Sequence, residues 1–279
     1  MPRHIVVGVD GSVLATSAVE WAAADAQRRG LSLRIVHVCE HRPYGVDVTK
    51  YCTGALAAAA DRARDLTRGV EVTTELLSGN AIDALIGESA SADTVVLGSR
   101  GLGGFAGLVV GSVGLSVAGH AAGPVVIVRG VSVVRHGRVV VGYDGSAHSE
   151  AAMEYAIEQA RAREAPLHVV FAWQRPLSSP YAAAYSTLLA EALEQESRAM
   201  AERVARRREK SPDVEITDEQ VVDHPANALI RAGGTADLVV VGSRGLGGFA
   251  SAVLGSVSHA VLHHVTCPIA VVRPREHHL

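Results

Sequence analysis

His4-Ile5-Val6-Val7-Gly8-Val9-Asp10-Gly11-Ser12 returns 134 positions later as Arg138-Val139-Val140-Val141-Gly142-Tyr143-Asp144-Gly145-Ser146. An apolar run of strand length that stops on Asp-Gly-Ser reads as a buried strand, a tight turn and the start of a helix. A second repeat lies further along each copy. Residues 95–113 read VVLGSRGLGGFAGLVVGSV and residues 239–257 read VVVGSRGLGGFASAVLGSV, identical at 15 of 19 positions with an offset of 144. The ten extra residues place an insertion between the second and third strands of the second copy. So long a period marks a duplicated domain and not a solenoid repeat. The division expected is 1–131 and 137–279, with a short linker near 132–137.

Between these landmarks the first copy alternates strand-like runs with amphipathic or Ala-rich stretches. The strands expected are 4–10, 31–39, 70–77, 94–98 and 125–129, and the helices 15–29, 54–68, 81–90 and 111–120. The second copy repeats the order with a long charged helix at 182–210. Its Glu191, Glu194, Glu196, Arg198, Glu202, Arg203 and Arg206 read as a solvated face with i,i+4 pairs. Such alternation gives an α/β fold with right-handed crossovers. The expected architecture is two tandem, doubly wound, parallel five-stranded sheets of order 3-2-1-4-5. Ligands then bind beyond the carboxyl ends of strands 1 and 4, where the strand order reverses.

Composition agrees. The 279 residues are 48% hydrophobic, 20% charged and 4% aromatic, which suits buried parallel strands under Ala-rich helices better than an aromatic-rich sandwich. A formal net charge of −3 leaves no electrostatic footprint for nucleic acid. The windows 101–128 and 245–272 contain no Asp, Glu, Lys or Arg, long enough for a membrane span. Eight glycines and Pro124 in the first, and His259, His263, His264 and Pro268 in the second, argue instead for loop, helix and buried strand. Cys39, Cys52 and Cys267 are an odd, widely spaced set without C-x-x-C. That spacing speaks against a disulfide scaffold or a thiolate zinc site and fits a reducing cytosol. The first residues show no export signal, so a cytoplasmic location is expected.

The chemistry gathers at the expected crevices. After the fourth strand of each copy the spacing is Gly98-x2-Gly101-x9-Gly111-Ser112, matched by Gly242-x2-Gly245-x9-Gly255-Ser256. Glycines let a phosphate approach main-chain N–H groups, and a helix opening at Gly-Ser adds its N-terminal amides and a hydroxyl. Neither a Walker loop nor Gly-x-Gly-x-x-Gly after the first strand is present. Asp10-Gly11-Ser12 reads equally as a turn with a serine N-cap. Arg100 and Arg244 face either phosphate or solvent. His259 and His263, spaced i,i+4, read as a solvated face; His120 and His264 read as C-terminal helix caps, and His277 and His278 as tail.

Three features together resemble the universal stress protein family: Val-Gly-Val-Asp-Gly-Ser on the first strand, the glycine spacing, and the closing Gly-Pro-Val-Val-Ile-Val or Cys-Pro-Ile-Ala-Val-Val. The resemblance covers nearly the whole chain, and the intact glycine spacing is that of the family's ATP-binding branch. It implies an adenine nucleotide alpha hydrolase-like fold that holds ATP, with Mg²⁺, in each domain, for regulation or stress response and not catalysis. Two alternatives are the family's non-binding dimerisation scaffold and a slow ATPase. Position by position, Val9, Asp10 and Val38 would line the adenine–ribose end of the first site, and Tyr143, Asp144 and Ala172 that of the second. Gly98, Gly101, Gly111, Ser112 and Val113 would form one phosphate loop, and Gly242, Gly245, Gly255, Ser256 and Val257 the other. Tyr143 for Val9 and Ala172 for Val38 alter the second adenine wall. The resemblance further implies an intrachain pseudo-dimer through strands 125–129 and 269–273, with a homodimer of chains beyond it. ATP, ADP and cyclic AMP stay open as ligands.

Overall fold

A computed structural model of the chain describes residues 3–39, 48–102, 109–130, 134–173, 186–246 and 253–275. The first copy runs β1 (His4–Val9), α1 (Val13–Arg29), β2 (Ser32–Cys39), α2 (Val48–Leu66), β3 (Val72–Ser78), α3 (Ala81–Ser89), β4 (Thr94–Gly98), α4 (Ser112–His120) and β5 (Val125–Val128). The second runs β6 (Val139–Gly142), α5 (Ala147–Arg163), β7 (Leu167–Trp173), α6 (Ser186–Lys210), β8 (Ile216–Val222), α7 (Pro225–Gly233), β9 (Leu238–Gly242), α8 (Ser256–His264) and β10 (Ile269–Val272). The expected start of the long charged helix at 182, part of the linker and the histidine tail lie outside the described residues.

The strands form one sheet in the order β3-β2-β1-β4-β5-β10-β9-β6-β7-β8. Every pairing is parallel except β5 with β10. There Ile269 faces Ile127, Ala270 faces Val126 and Val271 faces Val125. Residues 125 and 269, and 127 and 271, are equivalents at the 144 offset, so this register maps onto itself when the copies are exchanged. The two copies therefore meet about a local twofold axis through Val126 and Ala270. Pairing their edges also removes two exposed edge strands at once.

Both sheet faces are covered, as the continuous apolar strands require. On one face Val7, Ile35, Val96, Val141, Val169 and Val240 pack with buried residues of α1, α2, α5 and α6. On the other, Val6, Val36, Val95, Val140, Val170 and Val239 pack with α3, α4, α7 and α8. No helix among the described residues is long and apolar enough to cross a membrane; the described part of each uncharged window contains a short helix and a buried strand.

Helices α1 and α5 also seal the junction. Asp25, 0% exposed, is bonded by Gln159 Nε2 at 3.1 Å and Arg163 Nη1 at 3.0 Å from the other copy, and by Arg28 and Arg29 from its own. Arg163 lies over the Trp21 ring and Arg29 over Tyr155. Burial pulls the Arg29 guanidinium down, but Tyr155, Asp25 and Asp93 around it outweigh that and hold it above its ordinary value.

Two sequence expectations need correction. Cys39 and Cys52 are joined in a disulfide, because the β2–α2 crossover sets the end of the strand beside the start of the helix; Cys267 is free and buried. Spacing along the chain does not report that juxtaposition. Second, α2 begins at Val48 and not at 54. Its first turn carries two β-branched residues, Val48 and Thr49, which lower helix propensity there.

Candidate functional site

In each copy the first strand ends on Asp-Gly-Ser, and the left-handed turn is taken by glycine: Gly11 has φ +86° and Gly145 +78°. The Asp10 carboxylate accepts from Ser12 N at 3.0 Å, and Ser12 in turn caps α1 by accepting from Ala15 N at 3.2 Å. The second copy repeats both bonds at Asp144 and Ser146, at 3.0 and 3.2 Å. Turn and cap are thus real. The aspartate does more, however. Its second oxygen reaches the start of the glycine loop, where Asp10 accepts from Leu102 N at 2.8 Å and Asp144 from Leu246 N at 3.0 Å. Each carboxylate clamps the first-strand turn to the loop after the fourth strand. Burial alone would raise Asp144, but hydrogen bonds from Ser146, Ser149 and Leu246 outweigh it and hold the carboxyl below its ordinary range.

The clamp changes the meaning of two glycines. A Cβ on Gly101 would lie 2.4 Å from Asp10 Oδ2, and one on Gly245 2.4 Å from Asp144 Oδ2. A carboxylate sits against both positions and leaves no room for a side chain, a constraint beyond the phosphate access expected from the sequence. Gly98 and Gly242 are set by packing: a Cβ would meet the Leu14 backbone and the His148 backbone, each at 2.8 Å. Gly111 and Gly255 carry a different signal. They are the N-caps of α4 and α8, and neither makes a side-chain capping bond. By contrast α1, α3, α5 and α7 are capped by Ser12, Asn80, Ser146 and His224. The two helices that open onto the crevices keep their first amides uncommitted by any capping side chain, with Ser112 and Ser256 exposed beside them.

In the second copy these parts enclose a hollow of ≈ 260 Å³. Tyr143, Asp144, Ala172, Gly242, Gly245, Gly255, Ser256 and Val257, the whole predicted set for that copy, line it. Arg244 lines it as well, whereas Arg100 in the first copy is exposed. Val38, Val113, Ala172 and Val257 pack against the core on the α3, α4, α7 and α8 face. Val9 and Tyr143 belong to the core on the opposite face. The Tyr143 hydroxyl donates to Glu150 of α5, and burial together with that bond raises the phenol to about 12. Tyr143 for Val9 therefore puts a larger side chain both into that core and onto the lining of the second hollow.

Other residues at the site escaped the sequence reading. Pro225 and Leu229 of α7 and Ser258 of α8 line the second hollow. Ser258 Oγ donates to Gly242 O at 2.6 Å. Its equivalent in the first copy is Gly114, so the repeat itself held that clue. Tyr51 and Arg203 reach over the first-strand turns from α2 and α6: Tyr51 OH donates to Asp10 O at 3.0 Å, and Arg203 Nη1 to Gly145 O at 3.1 Å. Arg203 thus departs from the solvated face assigned to it, while Arg198 and Glu194 do pair in solvent. No local pattern marks either residue, since only the crossover brings those helices there.

The remaining histidines find ordinary places. His120 and His264 bond the Ser116 and Ala260 carbonyls in their last helical turns, at 2.9 and 2.8 Å. His259 and His263 lie with ring centroids 4.6 Å apart and their planes tilted by 44°, and burial pulls His263 below its ordinary value. Among the described residues no three His, Cys, Asp or Glu side chains gather as a metal site.

Comparison with known proteins follows the same division. The family model described as Universal stress protein family matches the chain twice, over residues 1–129 and 136–273. A universal stress protein of Mycobacterium tuberculosis is 36% identical over 96% of this chain and 96% of its own. One from Mycolicibacterium smegmatis is 34% identical over 97% of each. The crystal structure of a universal stress protein from Archaeoglobus fulgidus superposes with a TM-score of 0.68, covering 98% of this chain and 97% of that one at 21% identity, a likeness of fold. Duplicated strand-turn-glycine-loop units, one clamp in each and two family matches end to end make this chain a tandem-domain member of the universal stress protein family.

Proposed function

We propose that this chain is a cytoplasmic ATP-binding regulator of the stress response with one nucleotide site in each copy. The observation that carries the reading is the pair of glycine-capped helices, α4 and α8. Their N-terminal amides face the crevice at the topological switch point with no side-chain cap. A triphosphate suits those amides, and the Ser112 or Ser256 hydroxyl adds a donor. The base and sugar take the other end, against Val38 in the first copy and against Ala172, Pro225 and Leu229 in the second. The clamp aspartates stay at the sugar end, where remaining lone pairs accept hydroxyl donors and do not repel phosphate.

Magnesium would be held through phosphate oxygens and water, for among the described residues no cluster of three carboxylate, His or Cys side chains gathers to take it. Fast hydrolysis needs a positioned base and fixed charge around the γ-phosphoryl. Asp10 and Asp144 are committed to main-chain amides, so nucleotide is held and signalled with, not turned over at an enzymatic rate. The test is direct. Purified protein is denatured, the released adenine nucleotide is identified, and ATP is titrated into stripped protein. Two sites per chain are expected; one site refutes the symmetric reading, and none leaves the non-binding scaffold. A turnover rate at or above about 1 s⁻¹, the low end of ordinary enzymes, overturns the non-enzymatic assignment.

A further inference from the structure

Cys39 follows Val38 at the end of β2, the strand beside β1, and Cys52 opens the second turn of α2. The two are bonded, with Cα atoms 6.2 Å apart and a separation of 13 positions in sequence. Beside Cys52, Tyr51 holds the Asp10 carbonyl, and its hydroxyl lies 2.5 Å from where a Cβ on Gly11 would be. The Tyr51 ring also meets the buried His37 edge-on, centroids 6.4 Å apart. The disulfide therefore fastens α2 at the place where that helix reaches over the Asp10-Gly11-Ser12 turn. Among the described residues at the start of α2, Thr49 and Tyr51 are exposed, and Cys52, at 1%, is buried. The second copy has Trp173 at the position of Cys39 and no cysteine before Cys267. There Arg203, well inside α6, covers the turn.

We propose that Cys39–Cys52 is a thiol–disulfide switch on the first crevice alone, oxidised when that crevice is competent and reduced when it is loosened. Its effect on ligand rests on the nucleotide reading above. The reductant is a dithiol. One of its thiolates attacks Cys39, the less buried partner, and the S–S bond breaks with Cys52 leaving as thiolate and taking a proton. The second thiol of the reductant then displaces Cys39 from the mixed disulfide. Two electrons and two protons end on the protein as two thiols, and the reductant leaves as a disulfide. Re-oxidation uses a peroxide: the Cys39 thiolate takes one oxygen, giving a sulfenic acid and water, and the Cys52 thiol condenses with it, releasing a second water. Once Cys52 is untied, the start of α2 frays and Tyr51 leaves the Asp10 turn.

The experiment uses the full chain in three forms: peroxide-oxidised, dithiothreitol-reduced, and Cys39→Ser. Mass spectrometry after alkylation counts the freed thiols, hydrogen exchange reads residues 10–16 and 48–56, and calorimetry reads ATP. Reduction should speed exchange in both segments. It should also weaken ATP at one site about tenfold, as for a site competent about one-tenth of the time, with the other site unmoved. Cys39→Ser should match the reduced form and ignore dithiothreitol. Unchanged exchange after both thiols are freed overturns the switch, as does full alkylation of Cys39 and Cys52 in peroxide-treated protein. Faster exchange with equal ATP affinity at both sites also overturns it as a control on binding. Should ATP bind in neither redox state, the nucleotide reading falls, and exchange alone decides whether the disulfide governs the turn.

Discussion

Over Gly11 in the first crevice lies the Tyr51 hydroxyl; over Gly145 in the second lie Arg203 and Met200. Beneath these different roofs the two crevices share one backbone device, an aspartate that accepts one amide from its own turn and one from the glycine loop. The comparison separates what the fold needs from what each site can vary. The clamp joins two strand ends across the switch point, so any loss of it opens the crevice. The roof comes from a helix on a long crossover, where an insertion of ten residues and a neutral or a cationic side chain are both accommodated. The first crevice is roofed by a phenol and tied by a disulfide. The second carries Arg203 and Arg207 around Tyr143 and Glu150.

The strongest way to break the equivalence is through the glycines under the clamp. Gly101→Val puts carbon against Asp10 and should abolish ATP binding in the first crevice while the second keeps its affinity; Gly245→Val should do the reverse. Calorimetric stoichiometry checks this, and loss of both sites in either variant would show that the crevices are not independent. Next in size, Asp10→Ala and Asp144→Ala should each weaken ATP at their own site by about 1–3 kcal/mol, the scale of a hydrogen bond to a charged group. Tighter binding in either variant would place the carboxylate against phosphate. The depressed Asp144 carboxyl adds a sign: its stabilisation is present above the unfolded aspartate value and is lost as pH falls through the lower folded value. Asp144→Asn should flatten that acid limb in a urea-unfolding series. The smallest effects belong to the roofs. Tyr51→Phe should cost the first site about 0.5–1.5 kcal/mol with no change in salt dependence. Arg203→Ala should reduce the salt dependence of the second site alone, as removal of a partly exposed cation requires. Equal salt slopes at the two sites in the unaltered protein would remove Arg203 from the binding account.

Much of this was legible in the chain because it is short-range. Asp-Gly-Ser carries its own turn, positive φ and cap within three residues, and the 134 and 144 offsets expose the duplication without any structure. The predicted lining of the second hollow is complete for the same reason: strand ends and helix starts at a switch point are fixed by element order. A second constraint on some of those residues was not legible. Gly101 and Gly245 were expected at the phosphates, and nothing in a sequence shows that a carboxylate some 90 residues or more away also rests against them. Tyr143, expected on the wall and lining the second hollow, also enters the core against α5, a placement that follows only when the sheet is built.

The sequence by itself determined the two copies, the α/β alternation, the strand ends that meet at each crevice and the uncapped glycine starts of α4 and α8. These follow from local conformational preference and periodicity, which act over a few residues. Only the tertiary structure decided the Cys39–Cys52 bond, the Tyr51 and Arg203 roofs, the Asp25 junction and the register of the β5–β10 pairing that the family resemblance implied. Those depend on which crossover lies over which turn and which edge meets which edge. Such choices are settled by burial of the whole sheet and leave no pattern in any one stretch of chain.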